Sequence, residues 1–335
     1  MVWRHTERES DVKKCLGVLL LPLLCGASFA QTSSYPDRPI TLIVTAAAGG
    51  VTDVAARAVG QELSKAWGQP VIVENRGGAA HILGAQSVAK ADPDGYTLMV
   101  GEAGTFTINP TVYPPGKLPY DTDRDFVPIS GLVRINQALI ADNNLPAANA
   151  AELIALAKQK PGQLTYGTAG IGSAPHMNMA LFESMAGVKL QAVHYRGAAP
   201  ALNDLAGGSI NLMSVSVSLA LPAFRGGRVK MLGIGSDKRL ALAPDIPTVA
   251  ESGLPGYQAV TWFGLFGPAK LPPDIVDKLN TQVAKIFADP DFRTHFLEPQ
   301  MFEAMPGSPK EFAAYIQSER AKWAKVIHEA NITLE

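Results

Sequence analysis

Cysteine is almost missing from this chain. Two occur in 335 residues, Cys15 and Cys25, both within the first thirty positions, so the remainder has no disulfide, no thiolate nucleophile and no Cys-based metal site. Net charge is missing too: 29 basic against 30 acidic side chains leave a formal −1, which offers nucleic acid no electrostatic attraction. The enzyme signatures fail in turn. There is no G-x-G-x-x-G after a strand, no Walker lysine, no H-E-x-x-H and no G-x-S-x-G elbow, which argues against nucleotide, zinc-protease and elbow-serine chemistry. No cofactor and no metal are expected.

What is present begins with a leader. Lys13 and Lys14 precede an apolar run at 16–24, and Ala27-Ser28-Phe29-Ala30 supplies the small residues of a cleavage site. The run is far short of the ~20 residues that span a bilayer, so residues 1–30 read as a cleaved signal peptide and the rest as exported. Leu24, directly before Cys25, stands where a lipid-attachment signal needs a small residue. Cleavage removes four basic and three acidic side chains and leaves −2.

Beyond the leader the chain exceeds the size at which one core keeps growing, so two globular units are expected. From Ile40 it repeats a β-branched run, a glycine-containing turn and an amphipathic helix, the pattern of parallel strands joined by helical crossovers. Strands are predicted at 40–44, 70–73 and 96–100, with a helix over 53–67 that buries Ala55, Val59, Leu63 and Trp67 at a spacing of four. The run 127–140 is long enough to leave one sheet and enter another. Middle strands follow at 164–166, 190–195, 210–215 and 229–234, and 262–266 returns to the first lobe. Asn149 with Glu152, and Ser308-Pro309-Lys310-Glu311, have the chemistry of helix caps. The expected architecture is α/β and two-lobed, each lobe a mixed, mostly parallel sheet flanked by helices. Lobe 1 takes 35–134 and 260–335, and lobe 2 takes 135–259. Two crossing strands make a hinge around which a cleft opens and closes.

Ligands of open α/β sheets bind at the carboxyl ends of the strands. Three loops there suit an anion, because each leads through glycines toward a helix N-terminus with unpaired backbone N–H groups. The first holds Gly49, Gly50, Thr52 and Asp53, the second Gly77-Gly78-Ala79-Ala80-His81, and the third Thr168, Ala169, Gly172 and Ser173. Two glycines in a βα turn, with Thr52 or Asp53 as a cap, are ordinary in themselves; three such loops from two lobes carry more weight. Arg196 pairs by charge with a carboxylate in one reading and is a solvated loop residue in the other. Trp262 and Phe263 either floor the cleft or pack in the core. Thr105 and Ser216 complete the candidate set. Ser173 and His176 are near in sequence, but as N-cap and N3 of one helix they need only satisfy backbone groups.

Many ordered segments resemble one family, the Bug-type substrate-binding components of tripartite tricarboxylate transporters. They include Tyr35-Pro36-Asp37-Arg38-Pro39-Ile40, Gly49-Gly50-Val51-Thr52-Asp53, Val73-Glu74-Asn75-Arg76, Asp92-Pro93-Asp94-Gly95-Tyr96-Thr97-Leu98, Ile108-Asn109-Pro110, Tyr195-Arg196-Gly197, Asp245-Ile246-Pro247-Thr248-Val249 and Gly253-Leu254-Pro255-Gly256-Tyr257. The resemblance runs from Tyr35 to the C-terminus. It implies a type II periplasmic binding fold, a small organic carboxylate held largely by backbone N–H groups and waters, a periplasmic location, a monomeric state and two membrane subunits as partners. Departures are Ala47 and Ala48 for a usual proline pair, Arg196 for a usual lysine, His81-Ile82 for a glycine-asparagine turn, and Val215 where an acid is frequent. The last argues against an amino group on the ligand. The rivals are a receptor presenting its ligand to a signalling protein and a secreted hydrolase built on Ser173 and His176.

Overall fold

The computed structural model describes residues 35–46, 48–77, 81–170, 172–195 and 197–332. The leader assigned to 1–30, and the candidates Ala79, Ala80 and Arg196, lie outside the described residues. Residues 35–332 belong to one compact unit in which ten strands form one continuous sheet among the described residues.

The first half follows the apolar pattern. Strand β1 (Ile40–Val44) is almost wholly buried and leads into α1 (Val51–Trp67), whose buried stripe holds Ala55, Ala56, Val59 and Leu63. Gly68 ends α1 in the left-handed conformation at φ 66°, its N–H donating to the Ser64 carbonyl, as a glycine C-cap does. β2 (Val71–Asn75) and α2 (Ile82–Ala89) follow, then β3 (Thr97–Glu102). β3 runs two residues past its expected end, since pairing with a later strand continues through Gly101 and Glu102. A π-helical turn (Gly104–Ile108) and the short helix α3 (Asn109–Val112) follow β3.

β4 (Phe126–Ala141) is the long crossing strand. The second half comprises α4 (Ala150–Gln159), β5 (Thr165–Thr168), α5 (Ala174–Ala186), β6 (Gln191–His194), α6 (Ala198–Ala206), β7 (Leu212–Ser216), α7 (Val217–Arg225) and β8 (Lys230–Ile234). The return strand β9 (Val260–Pro268) leads to α8 (Pro273–Ala288), a three-residue strand β10 (Phe302–Ala304) and the final helix α9 (Pro309–Glu329). Both predicted caps form: Asn149 accepts from the Glu152 N–H at 2.9 Å, and Ser308 with Glu311 closes a full capping box behind Pro309.

The sheet order is β2-β1-β3-β9-β4-β7-β5-β6, with β8 and β10 also on β4. β1 is parallel to β2 and β3, and β5 is parallel to β6 and β7. β4 changes partners along its length: its first part pairs with β9 and β10, and Gln137 onward pairs with β7 and β8. The chain returns at the same level, because Gln137 N–H donates to Ala259 O at 3.1 Å and Val260 then pairs with Asn136. Two crossings side by side are what a two-lobed binding-protein fold requires of its hinge.

Each half has apolar packing of its own. Leu42, Val59, Leu265, Leu279 and Phe287 lie in one core cluster of the first half, and Phe106, Trp262, Phe266 and Phe312 in another. In the second half Ala201, Leu205, Met213 and Leu221 pack together, as do Tyr166, Phe182 and Tyr257. Helix α9 takes part in both halves: Phe312 and Ile316 join the Trp262 cluster, and Trp323, Val326 and Ile327 join the Phe182 cluster.

Candidate functional site

Register alone shows where the two lobes face each other. The last residue of β3, Glu102, is level with Phe263 of β9, which is level with Val133 of β4. The last residue of β7, Ser216, is level with Gln137. Because β3 runs along β4 and β7 runs against it, the carboxyl ends of the two parallel sets point toward each other. Four residue steps along β4, from Val133 to Gln137, separate them, about 13 Å at strand rise, the length of a small organic ligand with its contacts.

On the first side, Gly49 sits at φ 79° and Gly50 is the N-cap of α1, which has no side-chain cap. The leading N–H groups of the helix are therefore left for another acceptor. Asp53 is nearly buried and already engaged: it accepts from the Gly49 N–H at 2.8 Å and the Arg57 Nε at 3.0 Å, with Arg57 Nη2 3.0 Å from its other oxygen. Burial raises its carboxyl, but the Arg57 and Gly49 hydrogen bonds outweigh that and hold it below its ordinary value. Asp53 braces the loop. Thr52 donates its hydroxyl to Glu102 Oε1 at 2.6 Å. His81 adopts φ 73° at the start of α2, with Nδ1 2.9 Å from Thr45 O and Nε2 3.6 Å from Glu102 Oε2. Thr105 is fully buried, and its hydroxyl has no hydrogen-bond partner among the described residues.

On the second side, Gly170 at φ 118° and Gly172 at φ 74° take backbone conformations that side chains resist. Ala169 is half-buried beside them. Buried Thr168 lies 2.7 Å from His194 Nδ1 and accepts the Gly170 N–H at 3.1 Å. Ser173, the N-cap of α5, donates to Gly170 O at 2.6 Å and leaves the helix without a side-chain cap. That corrects its expected capping role, since a hydroxyl spent as donor on the loop closes the loop and does not cover the helix end. His176 Nδ1 accepts the Gly172 N–H at 3.1 Å, so it is the unprotonated nitrogen. Burial, with His194 beside it, pushes its pKa down to about 4. Ser173 and His176 each serve the loop, and no hydrogen bond joins them. Ser216 is the N-cap of α7, its Oγ 3.2 Å from the Ser218 hydroxyl.

Phe263 is almost wholly buried. It is buried in the cluster with Leu42 and Leu265, and Trp262 is buried on Phe312 and Tyr315. The core reading holds for both, because alternate β9 residues point into packed faces on either side of the sheet. Glu102 was missed in the sequence: the apolar run ends at Val100, and only strand pairing carries the next two residues to the site. Among the described residues no cluster of His, Cys, Asp or Glu is set to hold a metal, and no helix is long and apolar enough to cross a membrane.

The sequence model of the family described as "Tripartite tricarboxylate transporter family receptor" matches residues 55–332. The chain belongs to this family. The protein BugT of Bordetella pertussis is 30% identical over 310 residues, covering 92% of this chain and 94% of its own. Among solved structures, Rpa4515 of R. palustris with adipate is 35% identical at a TM-score of 0.78, covering 89% of this chain and 99% of its own. MatC of Rhodopseudomonas palustris with bound malate is 35% identical at 0.74, covering 88% and 100%. The receptor family is one of solute-binding proteins and not of enzymes, in keeping with the separate employment of Ser173 and His176. The two-lobed type II binding-protein fold is shared with these structures.

Proposed function

We propose that this receptor is exported to the periplasm by a leader over 1–30 and works there as a monomer. In this reading it binds a small organic carboxylate between a lobe of 35–134 plus 260–335 and a lobe of 135–259, and delivers it to the two membrane subunits of a tripartite transporter. The observation that carries the reading is the opposed set of strand ends. Helices α1, α5, α6 and α7 all begin there without a side-chain cap, so N–H groups and helix dipoles from both lobes converge on an anion. Contacts are assigned to Gly49, Gly50 and Thr52, to Ala79 through His81, and to Thr168 through Ser173, with Arg196 as a charge partner. The adipate and malate held by Rpa4515 and MatC support the ligand class. A carboxylate touching both lobes favours the closed state by its extra contacts there.

The test is thermal unfolding of the chain from Gln31 against aliphatic, hydroxy, amino and aromatic carboxylates. A ligand at about 100 times its Kd adds about 2.7 kcal/mol, expected to raise Tm by about 5–10 °C. A flat response across the panel overturns the carboxylate assignment.

A further inference from the structure

The first side of the cleft is not purely an anion site. Glu102 stands at the carboxyl end of β3 with its side chain 17% exposed. Its Oε1 is held by the Thr52 hydroxyl at 2.6 Å, and among the described residues its Oε2 has His81 Nε2 nearby, at 3.6 Å, too long for a hydrogen bond. The His81 ring is fixed from its far side. A carbonyl oxygen can only accept, so the Nδ1 that lies 2.9 Å from Thr45 O carries a proton, and the ring turns Nε2 toward the carboxylate. Asp53, the neighbouring acid, is matched by Arg57 at 3.0 Å. Among the described residues the charge partner of Glu102 is His81, at 3.6 Å and charged only when its ring is protonated. Thr52 thus aims the carboxylate, and the neutral His81 ring turns an acceptor nitrogen toward its second oxygen, which is left to accept from elsewhere; Thr45 and Thr105 hold buried hydroxyls with no hydrogen-bond partner among the described residues.

We propose that Glu102 is the specificity-determining residue of the cleft, and that it selects a carboxylate bearing an ammonium or hydroxyl group over the unsubstituted acid of equal length. The inference rests on the carboxylate-receptor reading above. A bare ligand carboxylate against Glu102 meets a like charge, whereas a donor completes Oε2, and an ammonium also neutralises it. The ligand's own carboxylates then go to the uncapped helix ends. This reverses the expectation drawn from Val215: an acid missing from β7 is supplied by β3.

The experiment is calorimetric titration of the chain from Gln31 with succinate, malate and aspartate, which share one four-carbon skeleton, and with the matching five- and six-carbon sets. The substituted acids are expected to bind about tenfold or more tighter than the plain diacid of the same length. Glu102→Gln keeps shape and one acceptor but no charge, and should cost the amino acid about tenfold while leaving the plain diacid equal or tighter. Thr52→Val, which frees the carboxylate, should narrow the same ratios. Unfolding of each unliganded variant checks its fold. A plain diacid that binds as tightly as its substituted partners, or ratios unmoved by both variants, overturns the role of Glu102 and leaves the receptor reading standing. No binding of any carboxylate overturns both.

Discussion

Replacing Trp262 by alanine is expected to lower the melting temperature by about 10 °C. The indole is fully buried at the start of β9, edge-on to Phe312 and Tyr315 at 5.6 and 5.9 Å between ring centres, and stacked near Phe106 at 6.4 Å. Truncation leaves a cavity in the cluster that fastens α9 to the sheet, a loss of about 4 kcal/mol, and in a chain of this size each kcal/mol moves Tm by about 2–4 °C. Trp262→Phe separates packing from polarity. The indole Nε1 has no hydrogen-bond partner among the described residues, so removing that N–H relieves an unsatisfied donor and offsets part of the lost volume; its Tm should fall by less than half as much. Thermal unfolding of both variants checks this, and a Trp262→Ala loss below about 3 °C would mean that the cluster refills the space.

Locally written features were legible and long-range ones were not. The caps at Asn149 and Ser308 and the stripe Ala55, Val59 and Leu63 depend on neighbours within a helix, and spacing reads them directly. So does β4, because a run of that length has no other use. Glu102 depends instead on Thr52, fifty residues away, and on β9, more than one hundred and fifty residues away; nothing in a Gly-Glu pair after an apolar run announces either. The first loop shows the same limit from the other side. Its glycines and threonine lie at a strand end as the sequence implies, but the sequence does not reveal that Asp53 spends itself on Gly49 and Arg57.

Helix α9 sharpens the question of where one lobe stops. Its first turns pack with Trp262 and its last with Phe182, while Arg320 between them donates to Phe106 O at 3.0 Å and to Asp123 at 2.6 Å. Assigning the whole of 260–335 to one lobe follows chain order, whereas burial divides α9 between the two cores.

Stability is expected to fall between pH 7 and 4.5 by about 2 kcal/mol through His176 alone. The ring accepts the Gly172 N–H and faces His194 edge-on at 5.3 Å and Tyr166 face-on at 6.4 Å. Burial first, and His194 second, lower its pKa from 6.5 to about 4. Because the unfolded chain takes up the proton first, the contribution is complete above pH 6.5 and is lost as pH falls through 4. At pH 4.5 most of it is gone, about 2 kcal/mol once partial solvent screening is allowed. Glu183, behind Tyr166, works the other way: burial raises its carboxyl above the ordinary value, so its contribution is present at low pH and lost as pH rises through the raised value. His176→Asn separates the two, since the amide oxygen can still accept the Gly172 N–H but does not titrate. The difference in Tm between pH 7 and 4.5 should shrink in the variant by about 5 °C relative to the parent, and an unchanged difference would place the acid sensitivity elsewhere. The same ring holds the loop that carries Ser173, so ligand affinity in the parent should weaken over the same interval and hold more nearly constant in the variant.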